Sequence, residues 1–394
     1  MNANGATDED ETQPPSSEGT KSRKSLRVVI AGGVTGGHLF PGIAIAQEFM
    51  TRNSQSSVIF AGTDRHFETS VLSKTGFGHM AIAAQGIKGL GFKKKIVSVL
   101  KIPRGIFESV LFLNRFRPDI VVGVGGYAAG PVAFGAWLLG IKIVLHEQNI
   151  LPGITNRILS RFAQRIYVSF TDTIPFLNGQ KAHFTGNPVR REILKCAGDV
   201  RDRNSADFEN VPEQKRRFNI LVIGGSQGAK SINTAVIDAI GQIKAKHAFY
   251  FVHQTGIQDE KRVKEAYARH GISNTVKSFF SDIARQYRHA DLVICRAGAT
   301  TVAEIAVIGK GVIFIPFPYA ADNHQALNAQ TLARKGAAEM ILEKDLDGKK
   351  LAGRIGYYAS NPETLKTMAD NARRFGNPDA ARDIVDDCYR LVAA

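Results

Sequence analysis

The segment CRAGATTVAEIAVIGKGVIFIPFPYAADNHQALNAQ, residues 295–330, concentrates groups able to hold a sugar nucleotide. An apolar strand ends at Cys295, a turn of small residues follows, and Glu304 falls in the first turns of the next helix. A carboxylate there can accept both hydroxyls of a ribose, while backbone amides of the turn meet a phosphate. A second strand ends in PFPYAADNHQALNA and brings Asp322, Gln325 and Asn328 to the next crevice position. Taken singly, Glu304 is explained by charge complementarity at a helix N-terminus and Gln325 by surface exposure. Together, at consecutive strand ends, they read as a nucleotide-sugar site.

Three glycine-rich turns follow apolar runs elsewhere: GGVTGGHLFPG (32–42), GVGGYA (123–128) and GGSQGAKS (224–231). Tight packing alone explains most such turns, so each is weighed on its details. The first sets four glycines and Thr35 ahead of a helix that opens at His38, a loop able to cradle a phosphate or sugar. The second fits a dinucleotide fingerprint, but no acidic residue follows about twenty positions on in a ribose-binding context. The third is a Walker A look-alike with alanine in place of the second glycine. A P-loop needs that glycine and an acidic strand end for magnesium, whereas DLVICR ends in Arg296. What survives is Ser226 and its neighbouring amides as an anion site. The two D-x-D pairs, Asp8/Asp10 and Asp345/Asp347, do not close apolar strands, so no metal site is expected. A diphosphate is then left to helix dipoles and side chains.

These loops need a frame. Residues 27–33, 57–62, 119–126, 141–147, 165–170, 219–225, 247–253, 275–280, 291–296 and 311–318 read as strands alternating with amphipathic helices. That rhythm predicts an α/β protein of doubly wound parallel sheets, and 394 residues predict two domains. The charged stretch 191–219 breaks the rhythm and serves as the linker. Two such domains facing across a cleft bind ligands at the carboxyl ends of their strands.

Composition adds limits. Net charge is +15, yet the first twenty residues hold five acids and no base, so the remainder carries +20. A body this basic suits nucleic acid, an anionic membrane face or a phosphorylated substrate. Residues 1–24 are polar and lack an apolar core, which predicts a disordered tail and not a signal peptide. Cys196, Cys295 and Cys388 are scattered, predicting a reducing compartment without zinc or disulfides. The longest apolar stretch, GPVAFGAWLLGIKIVL, is interrupted by Lys142 and is short for a bilayer span.

The set GGVTGGH, GVGGYAAGP, LHEQN, GNPVR, GGSQGA, CRAGATTVAEI and PFP…D…HQALNA resembles the bacterial MurG family of glycosyltransferases, in the family's order over roughly residues 26–390. Val34, where the family usually has glycine, the long charged linker and the acidic tail depart from it. The resemblance implies a GT-B fold: an acceptor and membrane-associating domain at 25–190, a linker at 191–218, a UDP-GlcNAc domain at 219–375, and a C-terminal helix at 376–394 able to pack back on the first domain. It assigns uracil to backbone near Phe280, ribose to Glu304, and the diphosphate to Ser226 with Ala299, Thr300, Thr301, Val302 and Ala303. Gln325 contacts the GlcNAc hydroxyls, Thr35, Gly36, Gly37 and Asn149 close over the sugar, and Arg190 assists the donor. The implied reaction is inverting transfer of GlcNAc to the muramyl 4-hydroxyl of a lipid-linked muramyl-pentapeptide, with no cofactor and no nucleic-acid partner. It needs a base, for which His38 and Glu147 stand equal: the one explained otherwise as a helix-terminal hydrogen-bonding histidine, the other as a structural acid.

Residues 86–116 mix Lys88, Lys93, Lys94, Lys95, Lys101 and Arg104 with Leu90, Phe92, Ile96, Leu100, Ile106 and Phe107, and Pro103 is expected to interrupt any single helix. A basic rim around apolar side chains suits an anionic membrane carrying a lipid substrate, which the resemblance implies is the cytoplasmic face of the inner membrane. Leu111 and Phe112 are expected instead under a core helix. Three rival functions keep part of this pattern: a diacylglycerol glycosyltransferase, a UDP-GlcNAc 2-epimerase, and a membrane-docked scaffold indifferent to loss of His38 or Glu147. The second would carry more carboxylates around the sugar than this chain does.

Overall fold

The computed structural model describes residues 24–33, 35–84, 92–202, 217–225 and 228–394, with 92–101 and 199–202 as backbone only. The acidic tail, Val34, Ser226 and most of the charged linker lie outside these residues, as do Lys88, Leu90 and the side chains of Phe92, Lys93, Lys94, Lys95, Ile96, Leu100 and Lys101.

Among the described residues the strands form two wholly parallel sheets. The first contains β1 (Arg27–Gly32), β2 (Ser57–Gly62), β3 (Gly78–Ala81), β4 (Ile120–Gly125), β5 (Lys142–Glu147), β6 (Arg165–Val168) and β7 (Ala182–Phe184), in the order 3-2-1-4-5-6-7. The second contains β8 (Phe218–Ile223), β9 (Phe249–Gln254), β10 (Ser273–Lys277), β11 (Leu292–Cys295), β12 (Gly311–Phe314) and β13 (Glu339–Met340), in the order 10-9-8-11-12-13. Strand order reverses between β1 and β4, and again between β8 and β11, which opens a crevice at each reversal.

Helices cover both faces of each sheet, so the central strands read as unbroken apolar runs. Val28 and Ile30 of β1 pack with Leu39, Ile43 and Phe49 of α1 (Gly36–Arg52), whereas Val29 and Ala31 pack with Val132, Ala133 and Ala136 of α4 (Ala129–Leu138). The second sheet repeats the division. Ile220 and Val222 meet α7 (Lys230–Gln242) and α12 (Gly348–Ser360), while Leu221 and Ile223 meet α10 (Ala299–Ile308). The remaining helices are α2 (His66–Leu72), α3 (Phe92–Phe116), α5 (Ile154–Leu159), α6 (Arg191–Asp202), α8 (Glu260–His270), α9 (Ile283–His289), α11 (His324–Ala333), α13 (Pro362–Arg373) and α14 (Ala380–Ala393).

The charged stretch after Arg190 opens as α6, whose Ile193 and Ala197 are buried against Ile305 and Val302 of the second domain. The chain then returns at its end: Ile384, Val385 and Cys388 of α14 join the first domain's core beside Ile30 and Phe49. Tyr167 donates to Asp387 Oδ2 at 3.0 Å, and Arg52 pairs with Asp386 at 2.9 Å. Asn377 Nδ2 donates to Thr185 O at 2.7 Å, so the two crossings between domains lie side by side.

Two local expectations are corrected. Pro103 does not interrupt α3, which runs through it. Ser109 seats against Gly135 of α4 and Leu113 is fully buried, and this packing outweighs the about 3 kcal/mol that an interior proline costs. Leu111 is not a core residue but 56% exposed, whereas Phe112 stacks on Phe116 against the core.

Burial holds His146 down at about 4 and His253 at about 3. Both are neutral near pH 7, while the unfolded chain binds their protons near pH 6.5. Their neutral burial is compatible with full stability above that pH, and stability is lost as pH falls from 6.5 toward 4, by on the order of 3 kcal/mol per histidine. Urea midpoints should fall across this window; a midpoint unchanged between pH 6.5 and 4.5 contradicts the assignment.

Candidate active site

The carboxyl ends of both sheets face one interdomain cleft of about 1810 Å³. On the first domain's side it is floored by the N-terminus of α1, with Thr35 at the cap position and Gly36, Gly37 and His38 in the first turn. Thr35 O accepts from the backbone N–H of His38 at 3.0 Å, and Thr35 Oγ1 lies 3.0 Å from His38 Nδ1. Glycine is required where the strand ends converge. Gly32 has φ +114°, and a Cβ there would overlap Gly125 O; Gly125 has φ +89°, and a Cβ there would press on the His38 ring at 2.8 Å. The first two glycine turns therefore fit against each other and hold His38 between them. Burial, with His324 of α11 adding to it from across the cleft, lowers the His38 pKa to about 4.

Glu147 is not among the cleft-lining residues and is 2% exposed. One carboxylate oxygen accepts from Asn149 N at 3.0 Å and Asn149 Nδ2 at 3.4 Å. The other accepts from Gly153 N at 3.0 Å and Asn156 Nδ2 at 2.9 Å. Burial pushes this carboxyl above the usual carboxylate range, against the pull of those donors. The geometry is that of a brace holding the 149–153 loop, with Asn149 displayed in the cleft.

On the other side Ala299, Thr300 and Thr301 open α10 and line the cleft, while Val302 is buried in the second domain's core with Ala303 packed against it. Thr300 Oγ1 donates to Gly37 O at 3.3 Å, so the N-termini of α1 and α10 meet across the gap. Both helix dipoles then present positive ends to one place, which suits a diphosphate. Glu304 accepts from Arg190 Nε at 3.0 Å and Nη2 at 2.7 Å, with Tyr287 OH at 3.5 Å, and the guanidinium lies 4.3 Å over the Phe40 ring. The expected ribose carboxylate is thus held by a cation on the segment that links the domains. Phe280 lines the cleft, and Gln325 Oε1 accepts from Phe317 N at 3.0 Å, which fixes its amide. The loop before Gln325 is strained: Asp322 and Asn323 have φ of 52° and 54°.

Asn328 turns out to be a bridge. Fully buried, it donates to Asn149 Oδ1 at 3.2 Å and accepts from Ile150 N at 3.3 Å, tying α11 to the first domain. Its spacing from Gln325 placed it at the crevice, but only the fold shows what it reaches. Ser231 and Glu343 escaped the sequence reading, and Arg296 entered it only as the residue that ends DLVICR. Arg296 lies 2.6 Å from Glu343 and donates to Ser231 Oγ at 2.9 Å, and Ser231 donates to Glu343 at 2.8 Å. The serine of the Walker look-alike is therefore engaged in an ion-pair network. Of the second D-x-D pair, Asp347 caps α12 by accepting from Lys350 N at 2.7 Å. Among the described residues no group of three or more His, Cys, Asp or Glu side chains is arranged to hold a metal.

The sequence also matches two family models, the glycosyltransferase family 28 N-terminal domain at residues 28–168 and its C-terminal domain at 219–384. A relative from Syntrophus aciditrophicus is 45% identical over 93% of this chain and 99% of its own length. It is named as a UDP-N-acetylglucosamine–N-acetylmuramyl-(pentapeptide) pyrophosphoryl-undecaprenol N-acetylglucosamine transferase. The chain is a family 28 glycosyltransferase. A relative of the same name from Myxococcus xanthus is 43% identical over 93% of both chains. The crystal structure of Acinetobacter baumannii MurG superposes with a TM-score of 0.74 at 30% identity, covering 93% of this chain and 99% of that one. A UDP-GlcNAc 2-epimerase from Neisseria meningitidis shares the fold alone, with a TM-score of 0.64 at 15% identity over 93% of this chain and all of that one. Family 28 membership makes this GT-B cleft a glycosyl-transfer site.

Proposed function

We propose that this chain transfers N-acetylglucosamine from UDP-GlcNAc to the 4-hydroxyl of undecaprenyl-pyrophosphoryl-MurNAc-pentapeptide, with inversion, at the cytoplasmic face of the cell membrane. The observation that carries the reading is the meeting of the α1 and α10 N-termini beside His38. The muramyl oxygen attacks the anomeric carbon, the bond from that carbon to the β-phosphate oxygen breaks, and UDP departs with the electron pair. The hydroxyl proton passes to His38 Nε2, which is free to accept it in the tautomer that carries its hydrogen on Nδ1, 3.0 Å from Thr35 Oγ1. The two helix N-termini stabilise the charge growing on UDP. Glu304 receives the ribose hydroxyls once Arg190 exchanges toward the diphosphate, and Gln325 reads the sugar.

The membrane face is carried by the first domain. Helices α3, α4 and α5 lie side by side, and Phe107, Leu111, Trp137, Leu138, Ile154 and Ile158 on them are exposed, with Arg115, Arg157 and Arg161 beside them in sequence, also exposed. No helix among the described residues is long and apolar enough to cross a membrane; the exposed apolar side chains and the arginines suit a peripheral contact.

The test is transfer of labelled GlcNAc from UDP-GlcNAc to a short-chain muramyl-pyrophosphoryl lipid in EDTA, with vesicle co-sedimentation in parallel. Product is expected despite the chelator, and donor-binding protein that yields none overturns the acceptor assignment. Phe107→Asp with Ile154→Asp should lower binding to anionic vesicles at least about tenfold, since each loses apolar burial worth about 1.5–3 kcal/mol. Transfer to the water-soluble short-chain acceptor should persist; unchanged vesicle binding excludes this face.

A further inference from the structure

Gln254, at the end of β9, joins the two loops that the donor must touch. It is 4% exposed and lines the cleft. Its Oε1 accepts from Phe280 N at 3.0 Å, and its Nε2 donates to Gly225 O at 3.1 Å. Its own carbonyl accepts from Gly224 N at 3.3 Å. One planar amide therefore spans the gap between Gly224 and Gly225, which follow β8, and the peptide at Phe280. Both ends of that amide are used, and in opposite senses: an acceptor toward Phe280 and a donor toward Gly225. Asparagine is too short by one carbon, glutamate presents an acceptor to the Gly225 carbonyl, and methionine fills the space with neither bond.

We infer that Gln254 is a positioning residue for the sugar nucleotide, setting the distance between the peptide that meets the base and the turn that meets the diphosphate. A nucleoside diphosphate has a limited reach from base to diphosphate, so both contacts form without further loop movement only when the two loops already stand at a matching separation. Without the bridge each loop relaxes separately, and the ligand must gather them on binding. The segment behind Gln254 fixes the bridge itself. Thr255 N donates to Lys277 O at 3.0 Å and Gly256 N to Ser278 O at 3.1 Å, while Asn233 Nδ2 donates to Thr255 O at 3.0 Å. Gly228 packs so closely on Thr255 O that a Cβ there would come within 2.3 Å of it, so the turn rests directly on this segment.

The inference rests on the donor reading above, and the experiment separates the two. UDP and uridine binding are measured by calorimetry or ligand-observed NMR for wild type, Gln254→Met and Gln254→Asn, with donor KM, acceptor KM and kcat for each. If wild-type protein does not bind UDP, the donor reading itself fails. If it does, Gln254→Met is expected to weaken UDP about tenfold or more, the effect of leaving buried partners unpaired. Uridine, which touches one loop only, should weaken less than about threefold. Donor KM should rise with UDP dissociation while acceptor KM stays within twofold. UDP binding unchanged in either variant overturns the inference. So does an equal loss for UDP and uridine, or a parallel rise in acceptor KM with a lowered melting temperature, because those mark a purely structural amide.

Discussion

His38→Ala is expected to lower kcat for transfer by about 10²–10⁴-fold, the span over which a positioned general base contributes. UDP-GlcNAc affinity should stay within a few fold, because the proposed contacts to base, ribose and diphosphate are mostly made by the second domain. The argument rests on place more than on basicity. His38 sits at the crossing of the two glycine turns, and the tightness of Gly125 against its ring leaves it little freedom. Its pKa of about 4 keeps it neutral across the physiological range, ready to accept but a weak base. The pH profile follows with a definite sign. A lowered histidine pKa means the acid limb of kcat should fall near pH 4, whereas an unperturbed histidine would place it near 6.5. An acid limb near 6.5, or a His38→Ala protein with kcat within tenfold of wild type, removes His38 from the chemistry.

Glu147→Ala is expected to abolish transfer by a different route. It removes the acceptor from Asn149 N and Gly153 N, at part-buried bonds, and one of two acceptors from the buried Asn156 Nδ2, which keeps His146 O at 3.1 Å; a buried bond left unmade costs about 1–3 kcal/mol. The protein should melt several degrees lower, and kcat should fall at least about a hundredfold as Asn149 leaves its station and Asn328 loses one of its partners. Formate added to fill the hole should not restore activity, since the defect lies in the loop. An inactive Glu147→Ala protein with wild-type melting, rescued by formate, would instead make Glu147 the base and His38 its neighbour. The two substitutions thus divide by their thermal behaviour as clearly as by their rates.

Much of this was written in the sequence because parallel strands covered on both faces leave unbroken apolar runs. RVVIA, IVVGV, NILVI and LVIC are such runs, and each is a central strand. The missed strands β3, β7 and β13 are edge pieces: GHMA and AHF lack apolar continuity, and EM is two residues long. The cleft loops were legible because glycine turns and the Glu304 and Gln325 motifs are local. What stayed hidden is long-range. Nothing in LHEQN distinguishes a carboxylate turned toward the cleft from one folded back on its own loop. The Arg190–Glu304 pair joins residues 114 positions apart, and the Asn328–Asn149 bridge joins residues 179 apart. The role of the Walker-like KS stayed hidden for the same reason, since the partners of Ser231 come from the distant Arg296 and Glu343.

The return of α14 to the first domain has a consequence for turnover. Because the two crossings abut at Thr185 and Asn377, the domains are joined by a double-stranded strap and not by a single swivel. A single strand would let one half-molecule rotate about its own bonds in every direction. A paired strap resists twisting and sliding and leaves bending as the soft motion, so opening and closing reduce to one angle. The orientational freedom that two loosely tethered halves would surrender on each capture of donor and acceptor is removed once, when the chain folds.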